Sequence, residues 1–332
     1  MCHNLCMHGR FMHRCLELAR QSQGKTGINP LVGAVLVRDG KIVAEAFHSG
    51  FGKPHAERQL LENFEQKIST RDILYVNLEP CCHTDKKTPP CVPLILERGV
   101  KRLVFGMIDP NPMVAGKGIS ALRKAGVDVI GPVLPEECRR LNRGFISLMT
   151  RGRPWITLHR AQTRDGRVAN TGGLPLKITS HEQDIWVHRF LRARHDAILV
   201  GVGTILTDNP QLNVRYMADP PEIFRIVLDV GLRIPLDSRV MDSPLAERTI
   251  LITKPGIDPG KIAKLRKLKV SVFEVPCENG IFDWKSLWKV LTTPNKEFHG
   301  LTSILVEGGI RTWELFRSAK LVDEEVILIG EK

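Results

Sequence analysis

Residues 72–99 read DILYVNLEPCCHTDKKTPPCVPLILERG. The first eight, DILYVNLE (72–79), form an apolar run of strand length. The last nine, CVPLILERG (91–99), carry the signals of a short helix: prolines at the start, an apolar stripe, and Gly99 after the end. Between strand and helix, LEPCCHTDKKTPPC (78–91) crowds three cysteines and one histidine into fourteen residues. Disulfide, metal and chance are the three explanations for that crowding.

Moving outward, the same alternation continues on both sides. LVGAVLV (31–37) and IVAEAF (42–47) are strand-like and flank RDGK, a hairpin turn signal. MHRCLELARQSQ (12–23) and HAERQLLENF (55–64) have helical spacing, RLVFGMI (102–108) and VDVI (127–130) are strands, and GISALRKAG (118–126) is a helix closed by glycine. After the loop-like MTRGRP (149–154) a second alternating set begins. Its strands are WITLHRA (155–161), AILVGV (197–202), RIVLD (225–229), TILIT (249–253), VSVFEV (270–275) and SILVE (303–307). Its helices are HEQDIWVHRFLRAR (181–194), PGKIAKLRKL (259–268), DWKSLWKVL (283–291) and RTWELFRSA (311–319). Strands alternating with helices in a chain of 332 residues imply two α/β domains with partly parallel sheets.

Composition narrows the class. The chain is 42% hydrophobic and 25% charged, as expected of a globular protein with a real core. It has no run of eighteen apolar residues to span a membrane and no secretory signal at its start, so a cytoplasmic location is expected. Eight cysteines are too sparse for a disulfide scaffold, which weakens the disulfide explanation. The net charge of +12 divides into +7 for residues 1–150 and +5 for the remainder. Basicity spread over both halves fits a nucleic-acid partner, small anionic substrates, or a plain solvated surface.

The metal explanation gains when His55-Ala56-Glu57 is set beside Pro80-Cys81 and Cys91. One imidazole and two thiolates suit zinc, and three protein ligands leave a fourth position for water. Glu57 stands too close in sequence to His55 to be a further ligand, but it is well placed to move protons for an activated water. The order matches the H-x-E…P-C signature of zinc-dependent deaminases. The spacing departs from the general pattern: Cys81 and Cys91 are ten positions apart, and Cys82 and His83 are rival ligands. The segment CHNLCMH (2–8) has ligand-like spacing too, with nothing further to complete a site.

HAE (55–57), LEPC (78–81) and KTPPC (87–91) stand in the order found in the bifunctional deaminase/reductase family of riboflavin biosynthesis, which this chain resembles. NPLVGAVLV (29–37), FHSGFGKPHAE (47–57) and DPNPMVAGKGISALRKAGVDV (109–129) extend the resemblance, with a loop between the cysteines one residue longer than the commonest form. The resemblance implies a cytidine-deaminase-like three-layer α/β/α domain over 12–150 and a dihydrofolate-reductase-like α/β domain over 151–332. Residues 1–11 are then expected to be a disordered extension. It further implies that His55, Cys81 and Cys91 hold Zn²⁺ and that Glu57 is the proton shuttle. Asn29, His48, Lys87, Asp109 and Asn111 would contact a pyrimidine carrying a ribosyl phosphate. The implied reaction is hydrolytic loss of ammonia from that diaminopyrimidinone, followed by NADPH-dependent reduction of its ribose.

In the second half the resemblance runs over RPWITLHRAQTRDGRVA (153–169), LRARHDAILVGVGTILTDNPQLNVR (191–215) and ILVEGG (304–309). GVGTIL (201–206) has two glycines where a Rossmann fingerprint needs three, so a Rossmann domain is set aside. By position, Ala161, Thr204, Asp208 and Gly309 would face NADPH, and Arg192, Leu212, Arg215 and Glu307 the phosphorylated substrate. The chain also departs from the family here. His159 replaces the usual lysine, Pro175 and Lys177 replace a serine and a tryptophan, Val230 replaces a serine, and VILIGEK (326–332) stops before the family's usual end. A deaminase with an inactive reductase domain therefore remains a second reading. A nucleic-acid base deaminase and a zinc-stabilised basic binding protein are two more. The family also implies a homo-oligomer.

Overall fold

The computed structural model describes residues 2–83, 88–168, 178–296 and 298–330. The chain divides into two compact units, Met1–Gly152 and Arg153–Lys332.

In the first unit the elements run α1 (Cys2–Arg20), β1 (Gly33–Arg38), β2 (Lys41–Phe47), α2 (Ala56–Asn63), β3 (Asp72–Val76) and α3 (Cys91–Glu97). They continue with β4 (Arg102–Phe105), α4 (Lys117–Lys124), β5 (Asp128–Ile130), α5 (Pro135–Leu141) and α6 (Arg143–Arg151). The sheet order is β2-β1-β3-β4-β5, antiparallel around β1 and parallel from β3 to β5. The β1–β2 turn carries positive φ at Asp39 and Gly40, the backbone twist a two-residue hairpin needs. Ala34, Val35, Leu36, Leu74, Tyr75, Val76, Leu103 and Val104 are buried along successive positions, so both faces of the central strands are covered.

The N-terminus corrects an expectation. Residues 2–11, read above as a disordered extension, belong to α1. His8 is buried and its Nδ1 lies 2.9 Å from the Tyr75 hydroxyl, and Phe11 packs on the Tyr75 ring at 5.1 Å. A distant tyrosine on β3 supplies the packing partner for this turn of the helix. A Cβ built on Gly33 would lie 2.1 Å from the Cys15 carbonyl oxygen, so the backbones of α1 and β1 touch.

The second unit runs β6 (Trp155–Gln162), α7 (His181–Trp186), β7 (Ala197–Gly201), α8 (Val202–Asp208), β8 (Phe224–Leu228), β9 (Thr249–Thr253) and α9 (Pro259–Lys267). It continues with β10 (Ser271–Glu274), β11 (Cys277–Glu278), β12 (Ile281–Phe282), α10 (Trp284–Thr292), β13 (Ser303–Val306), α11 (Ile310–Ser318) and β14 (Glu324–Ile329). Seven strands pair in the order β10-β9-β8-β7-β13-β6-β14, every neighbour parallel. In such a sheet the carboxyl ends of the strands are where ligands bind. The helix expected over 181–194 is not continuous: α7 passes into a π-helical turn at Val187–Leu191 and a 3₁₀ turn at Arg192–Arg194. π-turns are rare and mark functional sites.

Candidate active sites

The metal-type cluster forms where three element ends meet. His55 is the N-cap of α2, Cys91 opens α3, and Cys81 lies in the turn between β3 and α3. Their ligand atoms lie within 4.8 Å of one another. His55 Nδ1 is 3.5 Å from Cys81 Sγ and 3.4 Å from Cys91 Sγ. Tetrahedral zinc with ordinary Zn–N and Zn–S bonds places N and S about 3.5 Å apart, so the three side chains fit that ion. The Cys91 backbone N–H donates to Cys81 Sγ at 3.3 Å, which favours the thiolate that a metal needs. On the other side of the ring, His55 Nε2 lies 3.0 Å from Thr88 Oγ1. A donor bond there leaves Nδ1 free of its proton and aimed at the ion. Of the rival ligands, Cys82 and His83 stand outside this cluster.

A cavity of about 260 Å³ opens on the cluster. It is lined by His55, Cys81 and Glu57, and also by Asn29, His48, Asp109 and Asn111. Glu57, in the first turn of α2, is only 4% exposed, and burial pushes its carboxyl up against the opposing pull of His55. A carboxyl raised in this direction holds a proton more readily than an exposed glutamate, as a group that takes and returns one must. His48 Nδ1 donates to the Pro54 carbonyl at 3.0 Å, which leaves Nε2 as acceptor for the Asn29 amide at 3.3 Å. Burial also lowers the His48 pKa, which favours the neutral ring. Asp109 Oδ1 accepts the Asn111 backbone N–H at 2.8 Å and fixes the DPNP turn. Lys87 lies outside the described residues. Sequence reasoning did not single out Thr88, Glu79, Phe145 or Met149; the last three also line the cavity.

A second constellation sits at the carboxyl ends of β7 and β13. Glu307, just past β13, receives Arg192 Nε at 2.9 Å and Nη2 at 2.6 Å, with His159 Nδ1 3.6 Å away. Burial raises the Glu307 pKa, but Arg192 and His159 outweigh it and hold the carboxyl well below the usual carboxylate range. The Arg215 backbone N–H donates to His188 Nδ1 at 2.9 Å. The neutral ring therefore carries its proton on Nε2, which faces Arg192 Nη1 at 3.2 Å and Arg215 Nη2 at 3.3 Å. Burial first, then the two guanidiniums, push His188 down to about 4. Three N–H groups this close to one another repel, and an anion lying against all three would relieve that repulsion.

Leu212 is buried on the segment leading to Arg215, and its left-handed φ of 49° is held against the intrinsic preference of leucine. Thr204 and Asp208 lie on α8, Ala161 on β6, and Gly309 is the N-cap of α11. A Cβ on Gly201 or Gly308 would press on Thr312, whereas one on Gly309 would meet nothing within 4 Å. The start of α11 is thus open, with backbone N–H groups suited to a cofactor phosphate, and the site fits NADPH. Val230 lies just beyond β8, where its carbonyl takes the Thr253 hydroxyl at 3.4 Å. Pro175 and Lys177 lie outside the described residues. His188, which lies against both Arg192 and Arg215, carried no signal beyond its i, i+4 spacing to Arg192.

The same two halves appear in comparisons with known proteins. Residues 7–107 match the cytidine and deoxycytidylate deaminase zinc-binding region, and residues 154–332 match the RibD C-terminal domain. The riboflavin biosynthesis protein RibD of Aquifex aeolicus (strain VF5) is 40% identical over 322 residues, covering 97% of this chain and 86% of that one. The structure of Acinetobacter baumannii RibD, form 2, superposes with a TM-score of 0.81 at 30% identity over 99% of this chain and 88% of that one. The Thermotoga maritima diaminohydroxyphosphoribosylaminopyrimidine deaminase/5-amino-6-(5-phosphoribosylamino)uracil reductase gives the same TM-score at 34% identity, with the same coverage. No described helix is long and apolar enough to cross a membrane. A His-Cys-Cys cluster with a buried glutamate, a second α/β unit with a partly buried Arg192–Glu307 pair, and relatives alike over nearly the whole length converge on one conclusion: the chain belongs to the RibD family of riboflavin biosynthesis, with both its zinc-binding deaminase domain and its reductase domain.

Proposed function

We propose that the first unit deaminates 2,5-diamino-6-ribosylamino-4(3H)-pyrimidinone 5′-phosphate and that the second reduces the ribose of the aminouracil product with NADPH. The observation that carries the first step is the convergence of His55, Cys81 and Cys91 beside buried Glu57 in one cavity. When bound, zinc supplies a Lewis acid that brings the pKa of a water near neutrality. As a water oxygen bonds to the ring carbon bearing the amine, Glu57 would take the water's proton and deliver it to that amine; the C–N bond then breaks, ammonia leaves, and the oxygen remains as the carbonyl with its other proton passed to the ring nitrogen. Asn29, neutral His48, Asp109 and Asn111 hold the pyrimidine edge and ribose, and Lys87 meets the phosphate.

In the second unit Arg192, Arg215 and the His188 Nε2–H supply the oxyanion site for the phosphate, with Leu212 and Glu307 beside it. Ala161, Thr204, Asp208 and Gly309 hold NADPH, the source of the reducing electrons. Glu307, kept ionised by Arg192, orients the guanidinium toward substrate. Eight cysteines in 332 residues are too sparse for a disulfide scaffold, which supports work in the reducing cytoplasm, and the family resemblance supports a homo-oligomer. A small nucleotide-like substrate, and not nucleic acid, suits a cavity of about 260 Å³.

Glu57→Gln tests the deaminase assignment. Zinc content should stay at the wild-type level, and ammonia release should fall by about 10²-fold or more. Retained turnover in that variant would remove Glu57 from the mechanism.

A further inference from the structure

Glu79 stands two residues before Cys81 and is 2% exposed. Its own backbone N–H donates to the Met107 carbonyl at 2.9 Å, which ties it to the exit of β4. Its carboxylate receives three backbone N–H groups from one segment. Oε2 accepts from Asp109 at 3.2 Å and Gly116 at 2.8 Å, and Oε1 accepts from Ile119 at 3.1 Å. The first turn of α4 presses on the same turn: a Cβ on Gly118 would lie 2.0 Å from the Pro80 carbonyl oxygen and 3.2 Å from Glu79 Oε1. Asp109, so anchored, holds Asn111 through its own carboxylate.

We infer that Glu79 is a positioning residue of the deaminase: it locks the segment 109–119, which presents Asp109 and Asn111 to substrate, onto the turn that carries the zinc ligand Cys81. The inference rests on the deaminase reading above. Its physical basis is the acceptor count. A carboxylate has only acceptors and serves three N–H donors at once. A glutamine of the same shape keeps one acceptor oxygen and turns an NH₂ toward backbone donors, which leaves buried N–H groups unpaired. The lesion then falls on the loop that binds substrate. His55 and Cys91, which belong to other elements, remain in place for the metal.

Glu79→Gln and the shorter but charged Glu79→Asp, measured beside wild type, decide it. Both variants should keep wild-type zinc content. KM for the diaminopyrimidinone ribosyl phosphate should rise about tenfold or more in Glu79→Gln and less in Glu79→Asp, with kcat within about threefold. By hydrogen exchange, the amides of Asp109, Gly116 and Ile119 should lose protection while those of Val35 and Tyr75 in the sheet keep theirs. A KM within about twofold of wild type would overturn the inference, as would unchanged protection of the three amides. A uniform loss of protection together with loss of zinc would overturn it too, since Glu79 would then support the whole scaffold. If wild type itself releases no ammonia, the deaminase reading fails, and the exchange data still decide whether Glu79 locks the segment.

Discussion

Thr88 Oγ1 lies 3.0 Å from His55 Nε2 and sets which ring nitrogen is free for the metal. Thr88→Val removes that partner and should weaken zinc binding about 10–100-fold, read by competition with a chromophoric chelator; Thr88→Ser should retain wild-type affinity. His188 makes a second prediction, about pH. Its folded pKa of about 4 lies below the ordinary histidine value of 6.5. As pH falls from 6.5, the unfolded chain takes up the proton first, so stability declines between 6.5 and about 4 and the contribution levels off below. Chemical unfolding across that window should lose up to about 3 kcal/mol from this group. His188→Gln should show the shallower slope, and an identical slope would contradict the assignment. The meeting of His55, Cys81 and Cys91 with Glu57 in one cavity was legible in the sequence because imidazole, carboxylate and thiols fall at motif spacing. Thr88, Glu79 and His188 were not: what defines them is a partner 27 to 40 positions away, which only the fold supplies.

Among elements, the hairpin around Asp39-Gly40 and the strands at 72–76 and 197–201 were legible, since turn chemistry and apolar runs are local signals. The ordered start of α1 and the π-turn at Val187–Leu191 were not. The first depends on Tyr75, and the second adds a residue to a turn whose apolar spacing still reads as ordinary helix. The contact of α1 with β1 yields an element-scale prediction. Gly33→Ala places a Cβ 2.1 Å from the Cys15 carbonyl oxygen, backbone against backbone. The variant should lose about 1–3 kcal/mol or more in thermal or denaturant unfolding. Wild-type stability would mean that α1 shifts freely on the sheet.

At the scale of the whole molecule, each unit has its own sheet and buried core, and each carries its own constellation. The sequence places their junction at MTRGRP (149–154) and the structure divides the chain at Gly152, but residues 149–151, expected as loop, are the last turn of α6. Separate sites predict separate losses. Stripping zinc with a strong chelator should abolish ammonia release yet leave NADPH oxidation intact when the deaminated aminouracil ribosyl phosphate is supplied. Parallel loss of both would contradict that independence. The departures at His159, Pro175, Lys177 and Val230 make the second reaction the sharper test. The Glu307–Arg192 pair and the donors around His188 stand complete despite them. The most direct measurement is therefore to give the purified chain the diaminopyrimidinone ribosyl phosphate with NADPH and to follow ammonia and NADPH together. One NADPH oxidised for each ammonia released is the predicted result. Ammonia release with no NADPH oxidation would contradict the two-reaction account and leave a deaminase alone.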